Sequence, residues 1–345
     1  MLNVLTSAPR RAVRRLLGSQ AAAMVLLYHR VAKLDSDPQL LCVTPENFED
    51  QLKQLRQSFV PLTLRDMAAR ARSGTLPKNS IVLTFDDGYA DNLLAAKPLL
   101  EKYDIPATIF VASGFVDTQS EFYWDELDRL LHDNHPLPTT LNLEIAGSTF
   151  QWNLAHEAQS PAPTDSSKSW SVASPQPFTI RQQIYATLCD QLRPLPHAQR
   201  QSILTSLRTW ARQPALVRPT HRGLSPFELK ELARGGLIEI GAHTVDHLWL
   251  SAHNAAEQQR QILTSKRDLE IILGQPVTSF SYPYGARSAY NDNSLALVKQ
   301  AGFTAACSNF SGTIRRGNDP FQLPRMLVRD WTGDRLAIQI RKVMP

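Results

Sequence analysis

The chain has 345 residues, 43% of them hydrophobic, and a formal net charge of +5, which suits a globular protein of one large domain or two small ones. The charge is mild, and neither basic residues nor aromatics cluster, so a nucleic-acid partner is excluded. Cys42, Cys189 and Cys307 are odd in number and scattered, which argues against a disulfide framework or a thiolate zinc site and for a reducing compartment.

Arg10, Arg11, Arg14 and Arg15 precede a short apolar run, Ala21 to Tyr28. That run has no small-x-small cleavage site and falls well short of the ~20 residues a membrane span needs. Residues 1–23 therefore read as a basic N-terminal helix, with Val13, Leu16 and Leu17 on one face. Such a helix either lies on an anionic membrane surface or packs, solvated, on the domain. The expected location is cytoplasmic, with peripheral contact at the inner membrane face as the first alternative.

Met24 to Tyr28 is the first strand. Thr44 and Pro45 cap a helix carrying Phe48, Leu52 and Leu55, and a shorter helix covers Leu64 to Ala71. Ile81 to Phe85 is a strand, Asn92 to Lys102 a helix bent at Pro98, and Ala107 to Ala112 a further strand. Residues 117–222 change in character and read as an insertion. It holds an amphipathic helix with Phe122, Tyr123, Trp124, Leu127, Leu130 and Leu131, then a hairpin from Leu141 to Trp152. A flexible Ser/Pro/Ala-rich loop (160–177) and helical spacing from Gln182 to Ala211 follow. Ser225 to Glu228 is a capping box, and Gly274 stops a long helix begun at Ala255. Leu237–Gly241, Val277–Ser281, Phe303–Cys307 and Arg325–Arg329 supply the remaining strands, with a helix from Asn293 to Ala301. Seven β runs alternate with helices, and polar candidates follow several of them, as on the catalytic rim of a β/α barrel. The predicted architecture is α/β, a barrel built from 24–116 and 223–345. A doubly wound sheet is the alternative, but no glycine-rich loop follows the first strand.

Asp86 and Asp87 stand side by side just past the strand that ends at Phe85. Two adjacent carboxylates repel unless a cation or proton relieves them, so one suits a metal and the other proton transfer; alternatively, Asp-Gly marks only a turn. His243 and His247 are four residues apart, predicted on one face of a single helical turn, a spacing that suits two ligands to one transition metal. With Asp87 they make a set of two imidazoles and a carboxylate, which suits Zn²⁺ first and then Co²⁺, Ni²⁺, Fe²⁺ or Mn²⁺.

Thr84-Phe85-Asp86-Asp87-Gly88, the His243/His247 pair and Ser281-Tyr282-Pro283-Tyr284-Gly285 resemble the first three motifs of the NodB-homology polysaccharide deacetylases, the third in part. The resemblance spans roughly Met24 to Trp331, apart from the insertion. It implies a distorted (β/α)7 barrel and a metal-dependent carbohydrate esterase. It further implies that Asp86 is the general base, that Asp87, His243 and His247 hold the metal, and that the Tyr284 backbone N–H binds the oxyanion formed when metal-bound water attacks. Ser281 stands where the family has an arginine that orients the base, and Arg325 is the expected substitute. Arg329-Asp330-Trp331 partly matches the fourth motif, whose Asp and Trp line the substrate groove. The fifth motif, with its histidine acid, is absent, and His29, in Leu27-Tyr28-His29-Arg30-Val31, is the candidate replacement. Family members of a subgroup opening with such a Tyr-His pair also lack the third-motif arginine. Tyr284 and Trp331 are expected to stack on sugar, whereas Trp124 and Tyr282 read as core; His253, His132, His135 and His156 receive no role. The expected activity is removal of N-acetyl groups from an amino sugar of a surface polysaccharide, a lipopolysaccharide or a lipid-linked precursor. A deformylase on an aminosugar glycolipid and a non-catalytic glycan binder are the rivals.

Overall fold

Strands β1 (Ala23–Tyr28) and β2 (Ser80–Phe85) are buried at every position, as parallel strands covered on both faces must be. The computed structural model describes residues 22–118, 120–155, 170–175, 177 and 179–344. Within these, β3 (Ala107–Val111), β4 (Ile238–Ala242), β5 (Ser279–Ser281), β6 (Ala305–Cys307) and β7 (Met326–Leu327) join the first two in one parallel sheet. The spatial order is β6-β5-β4-β3-β2-β1-β7, with Val60–Pro61 pairing with β2 off this path. Neighbours in space are thus neighbours in sequence, except that the last strand returns beside the first. That is barrel topology with a seam between β6 and β7: a curled, distorted (β/α)7 barrel, as the alternation of strand and helix predicts.

Side chains of alternate strand positions enter different cores. Met24, Leu26, Tyr28, Leu83 and Phe85 face the surrounding helices. Ala23, Val25, Val82, Phe110 and Cys307 fill the barrel, together with Leu64, Met67, Ala68 and Ala71 of one helix. Gly241 is required by that inner packing, because a Cβ there would lie 2.4 Å from the Phe110 ring.

The helices are α1 (Pro45–Ser58), α2 (Leu64–Ser73), α3 (Lys97–Tyr103), α4 (Tyr123–His132), α5 (Ile180–Leu192), α6 (His197–Ala211), α7 (Pro226–Ala233), α8 (Ala255–Leu273), α9 (Asp292–Gln300) and α10 (Gly333–Val343). Thr44 caps α1, Ser225 and Glu228 form the capping box of α7, and Gly274 ends α8 in the left-handed region. Before α3, Asn92–Ala96 winds as a π-helix, where a bend at Pro98 is predicted. Proline lacks the N–H that the α ladder needs, and the wider turn absorbs the missing bond.

In the stretch read as an insertion, α4, the hairpin Thr140–Ile145/Ser148–Asn153, α5 and α6 share a second apolar cluster. The sequence predicts a solvated face for α4, but Asp125, Glu126, Asp128 and Arg129 are all buried. Their charges are met internally. Tyr89 donates to Asp125 at 2.7 Å, Arg208 pairs with Glu126 at 3.0 Å, and Arg218 reaches Asp128 at 3.4 Å. The expected N-terminal helix lies outside the described residues except at 22–23, where Ala23 already opens β1. Most of the 160–177 loop lies outside them too. Among the described residues no helix is long and apolar enough to cross a membrane.

Candidate active site

The chain turns sharply where β2 ends. Asp87 and Gly88 both take positive φ, 77° and 84°, and a Cβ on Gly88 would lie 2.9 Å from Val111. The Asp-Gly turn signal and the chemical signal are therefore the same feature, since this turn sends the two carboxylates apart. Of the non-glycine residues at positive φ, four belong to the site: Asp87, Thr244, His247 and Tyr284. Such backbone is costly and persists where surrounding contacts enforce it.

Asp86 is buried and gripped by Arg325. Arg325 Nη1 donates to Asp86 Oδ1 and Nη2 to Oδ2, each at 2.7 Å, and Ser281 Oγ adds a third bond at 3.2 Å. Burial alone would raise this carboxyl, but Arg325 and then His243 overcome it and hold it at about 2. Arg325 is itself fixed, donating through Nε to the Ser308 carbonyl at 2.7 Å and through Nη2 to Ser281 Oγ at 2.9 Å. Serine at 281 and arginine at 325 thus share the space beside Asp86.

Asp87 has the opposite surroundings. Its Oδ1 is buried with no hydrogen-bond partner among the described residues, 3.6 Å from His243 Nε2 and 3.4 Å from His247 Nε2. Burial and the Asp86 charge push it well above the ordinary carboxylate range. Burial lowers both imidazoles, His247 more strongly because His243 is beside it. His243 Nδ1 faces the Ser281 carbonyl at 2.8 Å, which turns Nε2 toward Asp87, as a hydrogen bond on the far nitrogen does for a metal-binding imidazole. One ligand atom from each of the three residues lies within 4.8 Å of the others. An orphaned carboxylate oxygen between two neutral imidazole nitrogens fits a divalent cation.

The histidine pair is not on a helical turn, as its spacing predicts. Residues 243–249 form an irregular loop with Thr244 and His247 left-handed. Gln261 Oε1 accepts from the N–H groups of Val245 and Asp246 at 3.0 and 2.9 Å, and that anchor replaces helical bonds.

A cavity of about 300 Å³ lies over these groups. His29 lines it, half-buried, its imidazole lowered to about 4 chiefly by burial. Tyr284 lines it too, edge-on to His247 with ring centres 4.6 Å apart. Its turn is held by Asn309, which donates from its backbone to the Gly285 carbonyl at 2.8 Å and from its side chain to the Tyr284 carbonyl at 3.3 Å. Asp330 and Trp331 stand elsewhere, which corrects their expected place in the groove. Asp330 accepts from Thr44 N, Thr44 Oγ1 and Asn47 Nδ2 at 2.7–2.9 Å and so docks the start of α1. Trp331 packs on the helix-side core. Their neighbour Arg329 lines the cavity instead. Trp124 is buried in the second core, as expected, and also walls the cavity, 4.9 Å from His247 between ring centres. Sequence reasoning missed Tyr123, Arg193 and Trp249. Trp249, two residues past His247, carried a usable signal; Tyr123 and Arg193 sit in the insertion and carried none.

Barrel and cluster together define a class, the α/β-barrel hydrolases that work at the C-terminal ends of their strands. Comparison with known families agrees. The polysaccharide deacetylase family model matches residues 73–140 and 206–306, and the chain belongs to that family. The unmatched interval, 141–205, lies inside the stretch read as an insertion. YxkH of Bacillus subtilis is 22% identical over 306 residues, 88% of this chain and 70% of that protein. The poly-β-1,6-N-acetyl-D-glucosamine N-deacetylase of Staphylococcus aureus is 30% identical over 120 residues, 31% of this chain and 41% of that enzyme. Among solved structures, the deacetylase PplD of Streptococcus pyogenes superposes with a TM-score of 0.57 at 17% identity, over 94% of this chain and 99% of that one. IcaB of Ammonifex degensii gives 0.56 at 18% identity, over 92% and 96%. At such identities these likenesses establish the fold.

Proposed function

We propose that this chain removes N-acetyl groups from an amino sugar of a polysaccharide, with Asp86 as the base and Asp87, His243 and His247 holding a divalent cation. One observation carries this: the two adjacent carboxylates are treated oppositely, Asp86 locked to Arg325 and Asp87 left open between imidazoles. The donor set suits Zn²⁺ first, with Co²⁺, Ni²⁺, Fe²⁺ and Mn²⁺ as alternatives. A cation bound there polarises the acyl carbonyl and acidifies the attacking water, which a base as weak as Asp86 requires.

Arg325 keeps Asp86 ionised and oriented, so its carboxylate can accept the water's proton. The Tyr284 N–H, presented by a left-handed residue, is our candidate donor to the oxyanion, where a fixed dipole is most effective. His29 is neutral at rest; it takes the proton that Asp86 has gathered and delivers it to the departing amine. The staphylococcal relative, named for a β-1,6-linked N-acetylglucosamine polymer, supports an N-acetylated glycan as substrate. The cytoplasmic, membrane-peripheral location belongs to the same proposal, and cell fractionation with and without residues 1–21 tests it.

The purified chain, supplied with each cation in turn, should release acetate from an N-acetylated β-1,6-glucosamine oligomer. Asp86→Asn should slow release by about 10²–10⁴-fold while the cation still binds, and His29→Ala should lower kcat more than it alters KM. Formate release from an N-formyl sugar in preference to acetate would reassign the acyl group. Glycan binding without release of any acyl group would leave a non-catalytic binder.

A further inference from the structure

The cavity carries more positive charge than amide hydrolysis asks for. Asp86 is matched by Arg325, and Asp87 faces the two imidazoles. Two guanidiniums remain on the lining, Arg193 and Arg329, and among the described residues no other carboxylate lines the cavity. They come from separate elements, Arg193 from the end of α5 and Arg329 from just after β7.

Neither is paired with a buried carboxylate, although Arg193 also lies beside the buried Tyr123 hydroxyl. The carboxylate that Arg193 meets, Asp190 at 2.9 Å, is 68% exposed, so water screens the pair. Arg193 Nε is buried with no hydrogen-bond partner among the described residues. Its guanidinium carbon lies 5.6 Å from the Trp249 ring centre and 5.5 Å from that of Tyr284. Arg329 donates to the Leu40 carbonyl at 2.5 Å. Asp37, the acid that acts on Arg329, spends its two oxygens on the N–H groups of Leu41 and Cys42. Trp249 and Tyr284, with ring centres 5.2 Å apart, offer a sugar an apolar aromatic surface beside Arg193. A neutral N-acetylglucosamine polymer offers hydroxyl and amide oxygens but no charge to match two guanidiniums. A carboxylate or phosphate supplies that charge, and the planar fork matches either oxyanion.

Building on the deacetylase reading above, we infer that Arg193 and Arg329 select an anionic glycan, in which the acylated sugar or its neighbour bears a carboxylate or a phosphate. Three N-acetylated oligosaccharides of equal length test this: one neutral, one with a uronic-acid carboxylate, one with a sugar phosphate. The metal-loaded full chain should favour at least one charged oligomer by about tenfold in kcat/KM, mainly through KM, and added salt should shrink the margin. Which oligomer is favoured identifies the anion. Arg193→Gln and Arg329→Gln should each cut the charged-to-neutral ratio by about fivefold or more, and Arg193→Lys by less. Equal rates on all three oligomers, or variants that slow charged and neutral oligomers alike, would overturn the inference. Binding to the Asp86→Asn chain, followed by tryptophan fluorescence, separates the two claims. If no oligomer loses its acyl group but a charged one still binds about tenfold tighter than the neutral one, the deacetylase reading fails and the anion selectivity stands. Equal binding defeats the selectivity whatever the turnover.

Discussion

Arg325 and Asp86 lie 239 residues apart in sequence and meet through two 2.7 Å bonds in a fully buried setting. Taking one partner from such a pair strands a charge where water cannot reach it. Arg325→Ala should therefore lower stability by about 3–5 kcal/mol, measured by urea denaturation. Pairing it with Asp86→Ala should recover part of that loss, because the stranded carboxylate is gone. If the single and double variants are equally unstable, the guanidinium contributes by packing alone. The pair was legible in part. The motif offered Asp86, and the missing arginine at 281 gave a reason to look for another. Nothing near position 325 says that its side chain points inward; the bonds it donates to the Ser308 carbonyl and Ser281 Oγ decide that.

At the scale of elements, α4 departs furthest from its sequence pattern. Its apolar stripe is read correctly from Leu127, Leu130 and Leu131, but the opposite face meets protein where the pattern expects solvent. Asp125 is the consequence. Burial raises its carboxyl from the ordinary 3.8 to about 7, against the pull of Arg30, the Tyr89 hydrogen bond and Arg218. The unfolded chain therefore gives up this proton first, and above pH 3.8 the ionised unfolded form is favoured increasingly until the folded group also ionises near 7. Asp125 should make stability fall as pH rises between about 4 and 7 and then level off. Asp125→Asn keeps an acceptor for Tyr89 and should remove that part of the slope, leaving the variant more stable than the parent at pH 8. Urea midpoints across this range check it, and parallel curves for the two proteins would count against the burial argument. The histidine loop teaches the same lesson differently. The four-residue spacing pointed to the right chemistry, while the backbone that delivers it is irregular and depends on Gln261.

For the whole molecule, the sheet order places β3 between the strand that carries Asp87 and the strand that carries the two histidines. A cation held by all three would tie together strands that are not direct partners, beyond the hydrogen-bonded ladder. The melting temperature should then rise with added Zn²⁺ and fall on chelation, by about 2.7 kcal/mol of stability at a hundredfold excess over Kd. In a chain of 345 residues that is a shift of about 4 °C, at roughly 1.4 °C per kcal/mol. His243→Ala should lose both the shift and stoichiometric metal. A shift that survives the substitution would place the ion elsewhere.

Local pattern alone determined the seven strand runs, most helix ends and the residues of the cluster, because periodicity, capping and short motifs are written between near neighbours. Tertiary structure alone decided that Arg325 reaches Asp86, that Asp330 docks α1, and that Arg193, Tyr123 and Trp124 wall the cavity. These are meetings between residues far apart in the chain, set by how the barrel curls and where the inserted helices come to rest. No spacing rule records such distances, so their signal exists only once the sheet has formed.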